Sequence, residues 1–110
     1  MGGSDLFTGT LDILVLQAVA PGPLHGYAIG QWIRRQSDEV LAVEEGALYP
    51  ALHRLERRGL VASVWGRTET GRRARFYRLT ARGRQALQEE TARWKSFSAA
   101  VHALLDASEV

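Results

Sequence analysis

Between Glu44 and Leu60 the chain reads EEGALYPALHRLERRGL, and the spacing of its leucines restricts the fold more than any other stretch. At about 100° per residue, Leu48, Ala51, Leu52 and Leu55 fall on one side of a helix as an inward stripe. Gly46, Pro50, His53 and Arg57 fall nearly opposite, and Tyr49 and Arg54 flank that outer face. Such a helix needs a protein body on one side only. Its other side, crowded with aromatic and cationic groups, is predicted to face a partner. Pro50 fits a helix that begins between Glu45 and Ala47, because a backbone N–H in or just past the first turn has little to bond with. Gly59 then closes the helix.

The flanking segments supply the body. Thr10 to Ala20 carries Leu11, Leu14, Val15, Ala18 and Val19 at helical spacing, widened by Ile13 and Leu16, and Pro21-Gly22-Pro23 stops it. A second helix is expected from Gly26 to Gln36, with Ile29, Trp32 and Ile33 inward. A short extended piece, Val40 to Val43, leads into the leucine-striped helix. Beyond it, Leu60 to Trp65 and Ala74 to Leu79 read as two strands of a β-hairpin joined by GRTETGRR. Thr80 is placed to cap a last helix reaching about Leu105. On that helix Leu87, Trp94 and Val101 recur every seven residues, Phe97 and Leu104 fill the intervals, and Leu105 lies alongside.

Composition excludes several functions. The 110 residues suffice for one modest core. There is no cysteine, hence no disulfide and no thiolate metal site. His25, His53 and His102 lack ligand spacing, so neither a metal nor a cofactor is expected. The most apolar run, Leu11 to Ala20, is broken by Asp12 and Gln17 and is too short to span a bilayer. A cytoplasmic protein with no membrane partner is the expectation. No nucleophile has an adjacent base, no carboxylate pair is suitably placed and no phosphate loop appears, so an enzyme is disfavoured.

Charge is the informative quantity. The net charge is only +2, yet ten arginines between Arg54 and Arg84 face just Glu56 and Glu69. Thirteen of the fourteen basic residues are arginine, whose forked guanidinium suits phosphate and guanine. A polyanionic partner is therefore indicated, although such a run also serves as a plain solvated face.

Three helices, an arginine-bearing hairpin and a lone long helix make a mainly α chain with a small β-hairpin. That is the order of a winged helix-turn-helix (residues 1–80) followed by a C-terminal dimerisation helix (81–110). The helix-turn-helix logic lays the third helix in the major groove of double-stranded DNA. Arg72, Arg73 and Arg75, on the wing beside it, are expected to meet phosphates. Leu87, Trp94, Phe97, Val101, Leu104 and Leu105 are expected to join two copies as a homodimer. The alternative is a winged-helix module for protein–protein contact, which the arginines of the hairpin disfavour.

LHGYAIGQWI (Leu24 to Ile33), EGALYPALHRLERRGLV (Glu45 to Val61) and RARFYRLTARGRQAL (Arg73 to Leu87) together resemble the PadR-like transcriptional regulators, over about residues 8 to 90. The short tail is similar to the compact subfamily that dimerises through its last helix. The resemblance implies a regulator, generally a repressor acting at an inverted repeat, with the tyrosines of HGY and LYPAL at the DNA surface: here Tyr27 and Tyr49. With Ala47, Pro50, His53, Arg54, Arg57 and the wing arginines they make up the expected DNA face. Ala47 stands where the family often has serine or threonine, which removes one hydroxyl contact. Some drug-responsive members use a tryptophan on the dimerisation helix, so Trp94 is the candidate contact for a small aromatic effector. The operator, the regulated genes and the identity of any effector are not encoded in these patterns.

Overall fold

Leu48, Ala51, Leu52 and Leu55 are each at most 2% exposed, so the stripe inferred from their spacing is the inner face of the third helix. The computed structural model describes residues 3–107, with side chains from residue 9. Its elements are α1 (Gly3–Ala18), β1 (Leu24–His25), α2 (Gly26–Gln36), α3 (Glu45–Arg57), β2 (Val61–Arg67), β3 (Arg73–Leu79) and α4 (Ala81–Ala107). Val15, Leu16 and Val19 from the α1 region, Ile29 and Ile33 from α2, and Leu60, Val61, Tyr77 and Leu79 around the sheet close one core on that stripe. This is the expected winged helix-turn-helix, mostly helical with a small sheet.

The sheet has three antiparallel strands in the order β1-β3-β2, where the sequence suggested two. Leu24 pairs with Tyr77 and His25 with Phe76. Two residues between a proline and a helix are too few to show an alternating pattern, so this strand is created by its partner. The hairpin proper is one or two residues longer at its tip than expected, pairing Arg67 with Arg73. Val40 to Val43, read as extended, forms no strand. It follows a turn in which Asp38 and Glu39 take positive φ (51° and 67°), and Arg34 Nε holds Glu39 at 2.7 Å. The first helix starts at Gly3, earlier than Thr10.

Pro50 needs a different account from the one its position suggested. With Glu45 as the first helical residue, the proline lies in the second turn, and the ladder bond to the Gly46 carbonyl is forfeited. Gly46 and Pro50 are both exposed, so water can solvate that carbonyl. Glu44, the N-cap, makes no side-chain bond; its carbonyl accepts from the N–H groups of Ala47 and Leu48, both at 2.9 Å.

The end of α3 and the start of α4 are knotted together. Gly59 turns the chain with φ of 76°, a conformation glycine adopts without steric cost. Thr80 caps α4 as expected: its hydroxyl accepts from the Gly83 N–H at 2.9 Å and donates to the Gly59 carbonyl at 2.7 Å. The Thr80 N–H donates to the Leu60 carbonyl at 3.1 Å. Gly83 lies so close to that carbonyl that no Cβ fits.

Only Gly83 and Leu87 of α4 are buried. Leu87, expected on the dimerisation stripe, is 8% exposed and belongs to the domain core. Beyond the half-buried Glu90 and Thr91 the helix leaves the body as an arm. This explains a radius of gyration of 15.5 Å, against about 13 Å for a compact chain of this length.

Gly83→Ala is expected to destabilise the fold by about 3 kcal/mol, because a backbone carbonyl cannot move aside as a side chain can. Urea unfolding of the two proteins measures this. An unchanged midpoint would show that the junction is looser than described.

Candidate nucleic-acid interface

Tyr27 and Tyr49 line one groove between α2 and α3, and the wing is tied to the other end of α3 through Glu56. Tyr49, 40% exposed, lies flat across the start of α2. A Cβ on Gly26 would come within 2.6 Å of its hydroxyl and 2.8 Å of its ring. The glycine of the HGY string therefore exists to let an α3 tyrosine rest on α2. Tyr27, on the next position, is 64% exposed, and its hydroxyl accepts from Gln31 Nε2 at 3.1 Å. It is not packed between helices.

His25 sets this corner, a role the sequence did not reveal. Its Nδ1 accepts from the Ala28 N–H at 3.3 Å and so caps α2. Its ring is parallel to Tyr27 (centroids 6.5 Å apart) and meets Phe76 of β3 edge-on at 5.3 Å. A histidine immediately before a helix start was the available signal, although serine, threonine and aspartate are the usual caps.

Along α3, Pro50, His53 and Arg57 are exposed in one line, whereas Ala47 is half-buried against the core. Arg54 turns away from this face. Its Nη2 donates to Asp12 of α1 at 2.9 Å, and its Nε is buried without a hydrogen-bond partner among the described residues. Arg58 Nη1 reaches the other Asp12 oxygen at 3.9 Å. Arg54 thus fixes the rotation of α3 against α1, and a phosphate would have to compete with a partly buried carboxylate for it. The sequence could not show this, since Asp12 is 42 positions away.

The wing is more ordered than an arginine-rich hairpin needs to be. Cross-strand partners share a face, so Trp65 with Arg75 and Arg67 with Arg73 continue the face that holds Ser63 and Tyr77 nearer the core. Trp65 is 57% exposed. The Arg73 guanidinium lies 4.5 Å from its ring centre and that of Arg75 5.6 Å, distances at which a cation is attracted to the ring face. Glu56 of α3 holds Arg75 Nη2 at 3.6 Å and accepts from the Ser63 hydroxyl at 2.7 Å. The stack therefore lies on the side of the wing nearest α3. Arg72 is exposed at the tip, which is closed by Gly71 (φ of 85°) and by the Arg67 Nη1 bond to the Gly71 carbonyl at 3.0 Å. Trp65, whose place in a strand gives no sign of this role, organises these cations.

Trp94, Phe97, Val101, Leu104 and Leu105 are exposed along one stripe of the α4 arm, and the rings of Trp94 and Phe97 are 5.9 Å apart. Among the described residues no group of three potential metal ligands occurs, and no helix is long and apolar enough to cross a membrane.

The arrangement can present aromatic edges, one imidazole and several guanidiniums to an extended anion. In comparison with known proteins, the model of the transcriptional regulator PadR-like family matches residues 15–89. The transcriptional regulator Rv3488 of Mycobacterium tuberculosis is 41% identical over 76 residues, which cover 69% of this chain and 67% of that protein. A PadR family transcriptional regulator from Eggerthella lenta superposes with a TM-score of 0.74 at 35% identity, over 92% of this chain and 86% of that one. A transcriptional regulator from Clostridium thermocellum gives 0.80 at 30% identity, over 90% and 96%.

Burial pushes the Asp12 carboxyl above its ordinary pKa, outweighing the opposite pull of Arg54 and Arg58, and Glu90 adds to the rise. The folded state therefore holds this proton more tightly than the unfolded chain, and Asp12 favours folding as pH falls towards and through its folded pKa. Between about pH 7 and pH 4, the melting temperature of wild type relative to Asp12→Asn should thus shift in favour of wild type. A shift in the other direction would mean that the ion pair outweighs desolvation.

Proposed function

The chain belongs to the PadR-like family of transcriptional regulators, and from that membership we propose that it binds an inverted-repeat operator in double-stranded DNA as a homodimer and represses transcription. The observation that carries this reading is the exposure of Tyr27, Tyr49, Pro50, His53 and Arg57 together with the Trp65–Arg73–Arg75 stack that Glu56 ties to α3. In it, α3 enters the major groove with Tyr49 and His53 at base edges, and Tyr27 lies at the backbone. The wing arginines, with Arg72 at the tip, neutralise phosphates. Ala47 contributes shape rather than a hydrogen bond, and Arg54 holds the helix at its angle. Residues 1–80 form the DNA-binding unit and 81–110 the dimerisation arm, whose first two turns are shared with the core. The protein acts in the cytoplasm, without a cofactor or catalytic step.

The arm's stripe is the dimer surface of this proposal. At about 25 cal/mol per Å2, a standard interface of roughly 1,600 Å2 offers tens of kcal/mol of gross burial before the costs of association. Trp94 and Phe97 form the aromatic centre of that surface, and Trp94 is its candidate contact for a small planar aromatic effector. Replacing Trp94 and Val101 together with aspartate should yield monomer by light scattering. A wild-type protein that is monomeric at micromolar concentration would exclude this assembly.

Converting Arg72, Arg73 and Arg75 to alanine should weaken binding to every duplex and flatten the log–log salt slope by about two to three units, at about 0.9 per phosphate. Trp65→Ala should reproduce part of that loss with all the charges still present. Tyr49→Ala and His53→Ala should weaken the operator more than random DNA and leave the slope nearly unchanged. Fluorescence anisotropy across a salt series measures all three. A wing variant with wild-type affinity and slope would remove the DNA-binding assignment.

A further inference from the structure

The junction that joins α3 to α4 also gathers charge. Arg57 and Arg58 from the end of α3 and Arg82 from the first turn of α4 line one open groove of about 460 Å3. Leu60 and Ala86 also line it, along with Gln85 and Glu89 from α4. Arg82 Nη1 lies 3.8 Å from the point where a side chain on Gly59 would begin, so the Gly59 turn leaves room for the guanidinium. Among the described residues neither Arg57 nor Arg82 has a carboxylate within 4.0 Å, and Arg58 reaches Asp12 only at 3.9 Å.

Two of these arginines have an ordinary explanation. Arg57 and Arg58 stand at the C-terminal end of α3, where a cation complements the helix dipole. Arg82 has the opposite placement. It occupies the first turn of α4, which contains no acidic residue, and there the dipole disfavours a cation and favours an anion. A groove with three guanidiniums, one carboxylate and the positive end of a helix attracts an anion with several acceptor oxygens.

We propose that this groove is a phosphate-binding site, in which Arg57, Arg58 and Arg82 grip the non-bridging oxygens of a phosphate group with their forked donors. Gln85 Nε2 donates to Glu89 at 3.3 Å and has a second N–H to offer on the α4 wall. Arg57 also continues the exposed line of Pro50 and His53, so the groove prolongs the outer face of α3 to its C-terminal end. The phosphate comes either from the backbone of a duplex lying on that face or from a free phosphorylated molecule that couples to the junction. The first source rests on the DNA-binding reading above; the second does not.

The test uses Arg57→Gln/Arg82→Gln, which leaves the Asp12 contacts of Arg54 and Arg58 in place. In the first arm, inorganic pyrophosphate is titrated at constant ionic strength, and melting temperature and backbone amide shifts are followed. Stabilisation of wild type, with shifts at residues 57–60 and 81–86, that is lost in the double variant supports the site and assigns it to a free phosphorylated molecule. In the second arm, a salt slope for duplex binding that Arg82→Gln alone makes shallower by about one unit, with Arg57 and the wing intact, assigns it to backbone phosphate. A response in both arms supports a site open to either source. The proposal is overturned if neither arm separates the variant from wild type, or if pyrophosphate stabilises both proteins equally. A wild type that binds no duplex removes the reading as a DNA-binding regulator, and the pyrophosphate arm still decides the groove. Arg82→Glu adds an independent check: it should raise the melting temperature without pyrophosphate, by relieving the dipole conflict, and abolish the response to it. A lowered melting temperature would mean that Arg82 is a structural residue, and would also overturn the proposal.

Discussion

Everything on the outer side of this protein depends on how firmly α3 is held from within. Ala51, Leu52 and Leu55 have no exposed surface. Their helix packs against α1, α2 and β2, and close-packed side chains leave a helix no freedom to roll. The polar ties come second: Asp12 to Arg54 on one side of α3, and Glu56 to Ser63 and Arg75 on the other. Burial opposes the charged form of Asp12, so the first tie adds rotational definition more than free energy. A helix fixed by leucines and trimmed by ion pairs can carry unpartnered aromatic and basic groups on its remaining face.

Glycine does much of the positioning, by absence. Gly26 lets Tyr49 lie on α2, Gly59 reverses the chain, and Gly83 lets α4 begin against the Leu60 carbonyl. At each place a methyl group would push apart two elements that must touch. The wing uses the opposite device. Trp65 fills space on an exposed face and gives Arg73 and Arg75 a surface to lie on, which lowers the entropy they would lose on meeting a phosphate.

The long helix has two functions along a single stripe. Leu87, Trp94 and Val101 keep heptad spacing, but Leu87 is in the core while Trp94 and Val101 are on the arm. The division falls where the body of the domain ends. The same apolar periodicity thus serves packing within one chain and then offers a surface to a second.

The sequence by itself determined the helices, the hairpin, the inward stripe of α3, the Thr80 cap and the arginine-rich wing, because each is written in residues within a turn or a few turns of one another. Local periodicity and capping act over that range. It also carried the strings by which the family is recognised. Tertiary structure alone decided the rest. It paired Leu24 and His25 with β3, turned Arg54 inward to Asp12, placed Leu87 in the core and brought Arg82 to Arg57 and Arg58. Each of these depends on contacts between distant parts of the chain. A guanidinium has the same chemistry whether it faces a carboxylate, a ring or open solvent, and only the packing of one element on another chooses among them.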